Sequence, residues 1–162
     1  MSNIKPVTTP LIPWEHLQSS NSEEQSTFDS LVIKYRSAIV RMNYLRMATR
    51  PSLSCAISAL SQYLEAPGIQ NWRIFLHAIK YMKEIQDVGL FYCHANCKGI
   101  VSYSNADWGN CKETCQSISG YLDSLNGNLV LWKEKKRPLV SISTAETEYK
   151  SVCDIVSEFQ WL

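Results

Sequence analysis

The spacing of apolar residues predicts three helices in the first half of the chain. Between residues 33 and 47 they recur three and four positions apart: Ile33, Ala38, Ile39, Met42 and Leu45. Pro51 suits the first turn of a second helix, predicted over residues 51–64, because its fixed φ matches a helix start. A third helix is predicted over residues 69–85, after Pro67 and Gly68.

The third helix has an apolar face and a basic one. The predicted apolar face is Trp72, Phe75, Leu76, Ile79 and Met82. The other angles carry Arg73, His77, Lys80 and Lys83. A basic helix face can bind a polyanion, but a solvated face is the simpler interpretation.

After Gly89 the pattern changes to short β-prone runs. Strands are predicted over residues 90–93, 100–104, 118–125 and 129–132, with a further short strand at 140–142. Asn126 and Gly127 predict a tight hairpin, since both central residues of a type I′ turn need positive φ. A last helix is predicted from Thr144. Its expected apolar side is Ala145, Tyr149, Val152, Cys153, Val156 and Phe159.

This order of elements predicts a helical N-terminal segment followed by an α+β or α/β domain, with a mixed sheet and a flanking helix. Residues 1–30 are polar and contain three prolines, so we expect a tail or linker there. The helical segment is predicted over residues 31–87 and the second domain over 88–162. The last helix reaches Leu162 without a capping signal, so we expect a truncated domain that self-associates through its exposed apolar edge.

Composition limits the interpretation in three ways. The chain has 16 basic and 15 acidic residues in 162, so its net charge of +1 exerts no global attraction on nucleic acid. The N-terminus lacks the apolar run of a signal peptide or membrane span, so we expect a cytosolic or nuclear protein without membrane contact. No histidine lies in a context typical of a serine triad, and no phosphate-binding glycine loop is present.

Two acidic residues are candidates for metal chemistry. Asp107 follows a predicted strand, and Glu146 lies in the first turn of the last helix. Carboxylates from separate elements are what a two-metal nuclease uses to hold Mg²⁺. Glu146 also completes a capping box with Ser143, in which it would only accept a backbone N–H. The sequence leaves both roles open.

Four sequence blocks resemble the ribonuclease H domain of copia-type retrotransposon Pol polyproteins. They are YSNADWG at residues 103–109, SISGY at 117–121, LWKEKK at 131–136 and STAETEY at 143–149. Upstream, YRSAI at 35–39, NYL at 43–45, ATRP at 48–51 and the stretch 81–90 resemble the end of the reverse transcriptase in the same family. The resemblance covers nearly the whole chain and implies a ribonuclease H-like fold for residues 88–162.

The resemblance implies an enzyme that cuts the RNA strand of RNA–DNA hybrids with four acidic residues and two Mg²⁺ ions. Glu146 matches the family's helix glutamate. Asn105 stands where the family usually has an aspartate ligand, and an amide brings no negative charge to the metal. Asp107 is a doubtful substitute, and the last two acidic positions would lie beyond Leu162. We therefore expect no activity from the chain alone, and Mg²⁺ as the cofactor of any activity retained.

Substrate contacts are altered as well. Cys115 and Gln116 stand where the family commonly has two arginines, so phosphate attraction is reduced. A basic cluster remains beside the hairpin: Lys133, Lys135, Lys136 and Arg137. These side chains are candidates to track a hybrid backbone, although a solvated strand end explains them equally well.

Two alternatives remain. Four cysteines form two C-x₃-C pairs that suggest a zinc site, namely Cys93, Cys97, Cys111 and Cys115, with His94 adjacent. Zinc sites more typically use C-x₂-C pairs, so we expect reduced thiols and no zinc. The other alternative is a non-catalytic module that binds nucleic acid or a host protein.

Overall fold

The computed structural model describes residues 7–12, 17–30, 34–94, 99–109 and 114–159. The chain divides into two compact units, Met1–Gly89 and Leu90–Leu162, called here the first and second unit. The first is helical. The second combines a three-stranded sheet with a helix, so the protein belongs to the mixed α+β class.

The described residues of the first unit form four α-helices and one 3₁₀ turn. They are α1 (Ser22–Ser30), α2 (Tyr35–Ala48), the 3₁₀ turn Pro51–Leu53, α3 (Ser54–Ser61) and α4 (Ile69–Glu84). The predicted second helix is therefore shorter than expected, and it starts as a 3₁₀ turn with Pro51 in its first positions. The predictions for the other two helices agree with α2 and α4 within the described residues.

An aromatic cluster centred on Tyr35 forms the core of this unit. The Tyr35 ring meets Phe28, Trp72 and Phe75 edge to face, at centroid distances between 6.2 and 6.5 Å. Its hydroxyl donates to the Leu60 carbonyl at 3.0 Å. Burial raises the pKa of the Tyr35 hydroxyl, so the group stays protonated. The buried aliphatic residues around it are Ile39, Leu53, Ile57, Leu60 and Ile74.

Helix α1 lies within the segment that the sequence predicts to be a tail or linker. Phe28 is 1% exposed in the core, and Leu11, Ile12 and Leu17 pack against the same core. The sequence did not predict these core contacts for two reasons. Residues 19–24 are polar, and one phenylalanine with three dispersed aliphatic residues gives no periodic apolar pattern. The tail prediction is corrected for these residues.

The buried face of α4 overlaps the predicted stripe. Phe75 is buried, and Trp72, Ile79 and Met82 pack against the core, whereas Leu76 is 40% exposed. The face also includes Asn71, Ile74 and Ala78, which the apolar pattern did not assign to it.

The sheet of the second unit is antiparallel throughout, not mixed. Its order is β1 (Ile100–Asp107), β2 (Ile118–Leu125) and β3 (Asn128–Lys136). The predicted turn is confirmed, since Asn126 and Gly127 have φ of 51° and 79°. The Asn126 amide oxygen also accepts the Gly99 N–H at 3.0 Å, which fixes the start of β1 beside the turn.

Two predicted strands are absent from the described residues. Residues 90–93 form no ladder; instead the Asn128 amide bonds to both the N–H and the carbonyl of Cys93, at 2.8 and 2.9 Å. Residues 140–142 are not a strand either, and Val140 and Ile142 are exposed. Aromatic or β-branched composition alone does not form a strand without a partner.

Helix α5 (Thr144–Phe159) packs on the sheet through the side opposite to the one predicted. Thr147, Ser151 and Ile155 are buried. The Ser151 hydroxyl donates to the Asn105 carbonyl at 3.3 Å. The predicted apolar residues Tyr149, Val152 and Val156 are about half to three-quarters exposed, at 71%, 48% and 55%. Small polar residues that bond to the sheet decided the orientation, and apolar periodicity does not detect them.

No helix in the described ranges has both the length and the apolar character needed to cross a bilayer.

Candidate functional site

Asn105 and Asp107 lie on β1, both exposed. Tyr121 marks the sheet face that carries α5, since its hydroxyl donates to Glu158 of that helix at 2.8 Å. Tyr121 pairs with Ser104, and Asn105 pairs with Gly120. Because side chains alternate along a strand, Asn105 and Asp107 project from the face opposite α5. They share a face, as their spacing predicts.

Glu146 occupies a capping box at the start of α5. Its N–H donates to the Ser143 hydroxyl at 3.2 Å, and its Oε2 accepts the Ile142 N–H at 2.7 Å. Its Oε1 forms an ion pair with Lys150 at 2.6 Å. The hydrogen bond from Lys150, and then that from Ile142, hold the pKa of this carboxyl below its ordinary value. Both carboxylate oxygens are therefore used within the helix terminus.

These three residues do not form a common metal site. Glu146 belongs to α5, and the side chains of Asn105 and Asp107 leave the sheet on its other face. Within the described ranges, no group of three or more His, Cys, Asp or Glu side chains is placed to hold a metal ion. Mg²⁺ needs oxygen ligands that converge on one point. Asn105 offers a neutral amide, Asp107 a separate carboxylate, and Glu146 a carboxylate that is already paired, so these residues do not fit the ion.

The predicted basic cluster is divided between the two faces of the sheet. Lys133 pairs with Glu158 of α5 at 3.5 Å, and Arg137 pairs with Asp154 of α5 at 3.0 Å. The Arg137 side chain is only 11% exposed, and its Nε and Nη2 have no partner among the described atoms.

The other two residues of the basic cluster are Lys135 and Lys136. Lys135 is exposed and pairs in register with Ser119, whereas Lys136 pairs with Ile118 and shares the face of Asp107. These four residues therefore do not form one continuous phosphate-binding surface.

The cysteine hypothesis falls partly outside the described residues. Cys93 and Cys115 are both exposed, while Cys97 and Cys111 lie outside. Cys115 has a positive φ of 52°, unusual for a residue with a side chain. Whether zinc binds stays a prediction.

A buried acid that the sequence reading did not identify lies beneath α5. Asp123 is fully buried; the Ser102 hydroxyl donates to its Oδ1, and its Oδ2 has no partner among the described atoms. Burial, and then the bond to Glu158, raise the pKa of the neighbouring Tyr121. Alternation from Tyr121 would have placed Asp123 on this face, but acidic residues are rarely expected in a core.

The basic face of α4 is exposed as predicted. Arg73, Lys80 and Lys83 are exposed, whereas His77 Nε2 lies 3.0 Å from the Thr9 carbonyl and is engaged within the first unit. Residues 34–89 contain eight basic and three acidic side chains, a net charge of +5, whereas residues 90–162 contain seven basic and eight acidic. Positive charge is concentrated in the helices of the first unit.

Comparison with known proteins finds relatives of two kinds, Pol polyproteins of transposons and a secreted effector protein. The chain is 33% identical over its full length to the retrovirus-related Pol polyprotein from transposon RE2 of Arabidopsis thaliana, and 31% identical to that from transposon RE1. It spans 11% of each of those polyproteins. It is also 36% identical over 130 residues to the secreted RxLR effector protein 161 of Plasmopara viticola, covering 80% of this chain and 92% of that protein. No protein-family profile and no solved structure matches the chain.

A helical unit followed by an antiparallel sheet with one helix defines a mixed α+β protein. The chain belongs to the family of copia-type retrotransposon Pol polyproteins and corresponds to a segment of them.

Proposed function

We propose that the second unit is a ribonuclease H-like module of the Pol polyprotein that does not cleave RNA–DNA hybrids in this chain. The sequence blocks at residues 103–109 and 143–149 supply the likeness to that nuclease. The sheet with α5 packed on one face supplies a compatible scaffold.

The observation that carries the proposal is the state of Glu146. Its two oxygens are held by Lys150 and by the Ile142 N–H, so the carboxylate serves the helix terminus. Asn105 has no negative charge that could substitute for the Glu146 carboxylate, and Asp107 projects from the sheet face opposite α5. Cleavage of an RNA–DNA hybrid by the two-metal mechanism requires several carboxylates around the metal ions.

The test is a cleavage assay of the full chain on an RNA–DNA hybrid, in Mg²⁺ and separately in Mn²⁺. We expect no RNA cleavage above buffer, with an active ribonuclease H as positive control. Asn105→Asp restores one expected ligand but leaves Glu146 in its cap, so we expect that variant to be inactive too. Cleavage by the unsubstituted chain that disappears in Glu146→Gln would overturn the proposal.

A second candidate function is hybrid binding without cleavage, through the exposed basic face of α4. Arg73, Lys80 and Lys83 lie on that face, in the part of the chain with net charge +5. Such contacts are made to phosphates and release condensed counterions, and they weaken as the salt concentration rises because that release then becomes less favourable. This candidate is compatible with the loss of catalysis.

Binding should be measured at two or more salt concentrations with the full chain and a labelled hybrid. The double variant Lys80→Glu with Lys83→Glu is expected to weaken binding and to reduce the salt slope by about one unit per lost phosphate contact. Lys135→Glu in the second unit is the matched control. An equal loss in the control, or no binding at low salt, would exclude α4 as the binding surface.

A further inference from the structure

The two faces of the sheet in the second unit differ in polarity. On the face that carries α5, Asp123 is buried and accepts a hydrogen bond from the Ser102 hydroxyl. The opposite face, called here the open face, carries three apolar side chains that are exposed: Val101, Tyr103 and Leu122. An antiparallel sheet with one covered face normally buries its apolar residues and exposes its polar ones. This sheet does the reverse, so its apolar face is available to a partner.

Two rows of residues run across the open face, from β1 through β2 to β3. In the first row, Asp107 on β1 and Lys136 on β3 lie on opposite sides of β2. Four residues further along the strands, Tyr103 and Trp132 lie on opposite sides of Leu122 in the same way. The first row therefore has opposite charges at its two ends. The second row has an aromatic ring at each end and an aliphatic centre.

These rows are self-complementary about a two-fold axis that runs parallel to β2, between two open faces packed against each other. Such an axis places β1 of one copy over β3 of the other. Asp107 then lies over Lys136 of the second copy, and Tyr103 lies over Trp132 of the second copy. The two Leu122 side chains meet at the axis. Sheets packed face to face keep their strand directions within about 30°, so the two rows stay matched.

The other two-fold arrangement of two open faces fits less well. An axis that runs across the strands, through the centre of the face, would place Asp107 over Val101 of the second copy. A carboxylate covered by an apolar side chain loses hydration and gains no bond in return. Charge complementarity therefore favours the axis along β2.

The size of the open face limits the strength of such a contact. The strands contain eight or nine residues each. Three such strands present a face of roughly 14 by 26 Å, given the usual strand spacing and rise per residue. Two faces of this size together bury less than the roughly 1,200 Å² that separates stable complexes from weak ones. A reversible dimer with a micromolar dissociation constant is the form expected.

We propose that the open face binds the open face of a second copy of this chain, in a symmetric dimer whose two-fold axis runs along β2. The ion pairs between Asp107 and Lys136 of the second copy set the register. Tyr103, Leu122 and Trp132 form the apolar contact. The proposal does not depend on the proposed function, because association is measured without a substrate.

The first test is sedimentation velocity of the full chain across the micromolar range of concentrations. We expect a reversible equilibrium between monomer and dimer. Leu122→Glu places two carboxylates against each other at the axis and should weaken dimerisation at least about tenfold. Val152→Glu adds the same charge to an exposed apolar position on α5 and should leave the equilibrium unchanged. A monomer at every concentration, or an equal loss in both variants, would overturn the proposal.

The second test exchanges the charges that set the register. Asp107→Lys brings lysines together across the interface, and Lys136→Asp brings aspartates together, so each variant alone should dimerise less than wild type. In an equimolar mixture, each variant supplies the charge that the other lacks. We expect the mixed dimer to be at least about fivefold tighter than the dimer of either variant. Contacts within one chain cannot produce this recovery, and its absence would contradict the proposed arrangement.

Discussion

At the scale of single residues, Glu146 shows how one side chain can satisfy two different sequence interpretations. The capping box and the nuclease motif both require a glutamate three residues after Ser143. The structure shows the capping contacts, with Lys150 four residues further on completing them. The contacts describe a capping role, whereas a metal-ligand role rests on the resemblance alone.

Glu146 should contribute a measurable pH dependence of stability. Its pKa is lowered in the folded chain, mainly by Lys150, so the ionised form stabilises the fold. This contribution is fully present above the ordinary glutamate pKa of about 4.3 and is lost as pH falls through the lower folded-state value. Thermal unfolding between neutral pH and about pH 3 should show Glu146→Gln less stable than wild type at neutral pH.

The difference in thermal stability between Glu146→Gln and wild type should decrease as the pH falls. Glu148→Gln, two residues on and exposed, is the control for the loss of one charge. If the two variants follow the same stability curve, Glu146 has no special role in the cap.

At the scale of elements, the parts predictable from sequence were those set by local geometry. The Asn126-Gly127 turn was predictable because positive φ at both positions restricts the residue choice. The orientation of α5 was not, because the Ser151 hydroxyl donates to the Asn105 carbonyl of β1 and Thr147 is buried, while Val152 and Val156 are exposed. Helix α1 was missed because its one buried aromatic residue, Phe28, lies in a polar segment.

The same reasoning applies to the candidate site. Asn105 and Asp107 follow the predicted strand 100–104, but β1 continues to Asp107, so alternation along the strand places both on one face. Their separation from Glu146 depends on which sheet face α5 covers, and that is a tertiary property. Alternation along β3 separates Lys136 from Lys133 and Lys135, whereas the ion pairs of Lys133 and Arg137 with Glu158 and Asp154 depend on the tertiary position of α5.

The hairpin gives a direct test at this scale. Gly127 has φ of 79°, a region that costs a residue with a Cβ roughly 1–2 kcal/mol. Gly127→Ala should therefore lower the free energy of unfolding by about that amount in a denaturant titration. Asn126→Asp keeps an acceptor for the Gly99 N–H and tolerates a positive φ, so it should change stability far less. Equal effects of the two substitutions would mean that the turn does not control strand pairing.

At the scale of the whole molecule, the two units differ in charge and in the kind of function they suggest. The first unit, residues 1–89, has nine basic and seven acidic side chains and a net charge of +2, with +5 in residues 34–89 and −3 in residues 1–33, whereas residues 90–162 carry −1. The chain spans 11% of its Pol relatives but covers 92% of an effector protein from Plasmopara viticola, so a sequence related to this segment makes up most of that shorter protein.

Self-association stays a prediction. Exposed apolar residues occur on α5 and on the sheet, including Tyr149, Val152, Val156, Val101 and Tyr103. Sedimentation velocity over a range of protein concentrations measures it directly, and a single monomeric species throughout would contradict it.

The central claim is that Asn105, Asp107 and Glu146 do not form a magnesium site in this chain. A Mg²⁺ titration monitored by NMR at these three side chains tests it most directly. The account predicts no saturable, joint change at millimolar Mg²⁺, and an ion pair between Glu146 and Lys150 that persists throughout. Stoichiometric binding that shifts all three side chains together and releases Lys150 would contradict it.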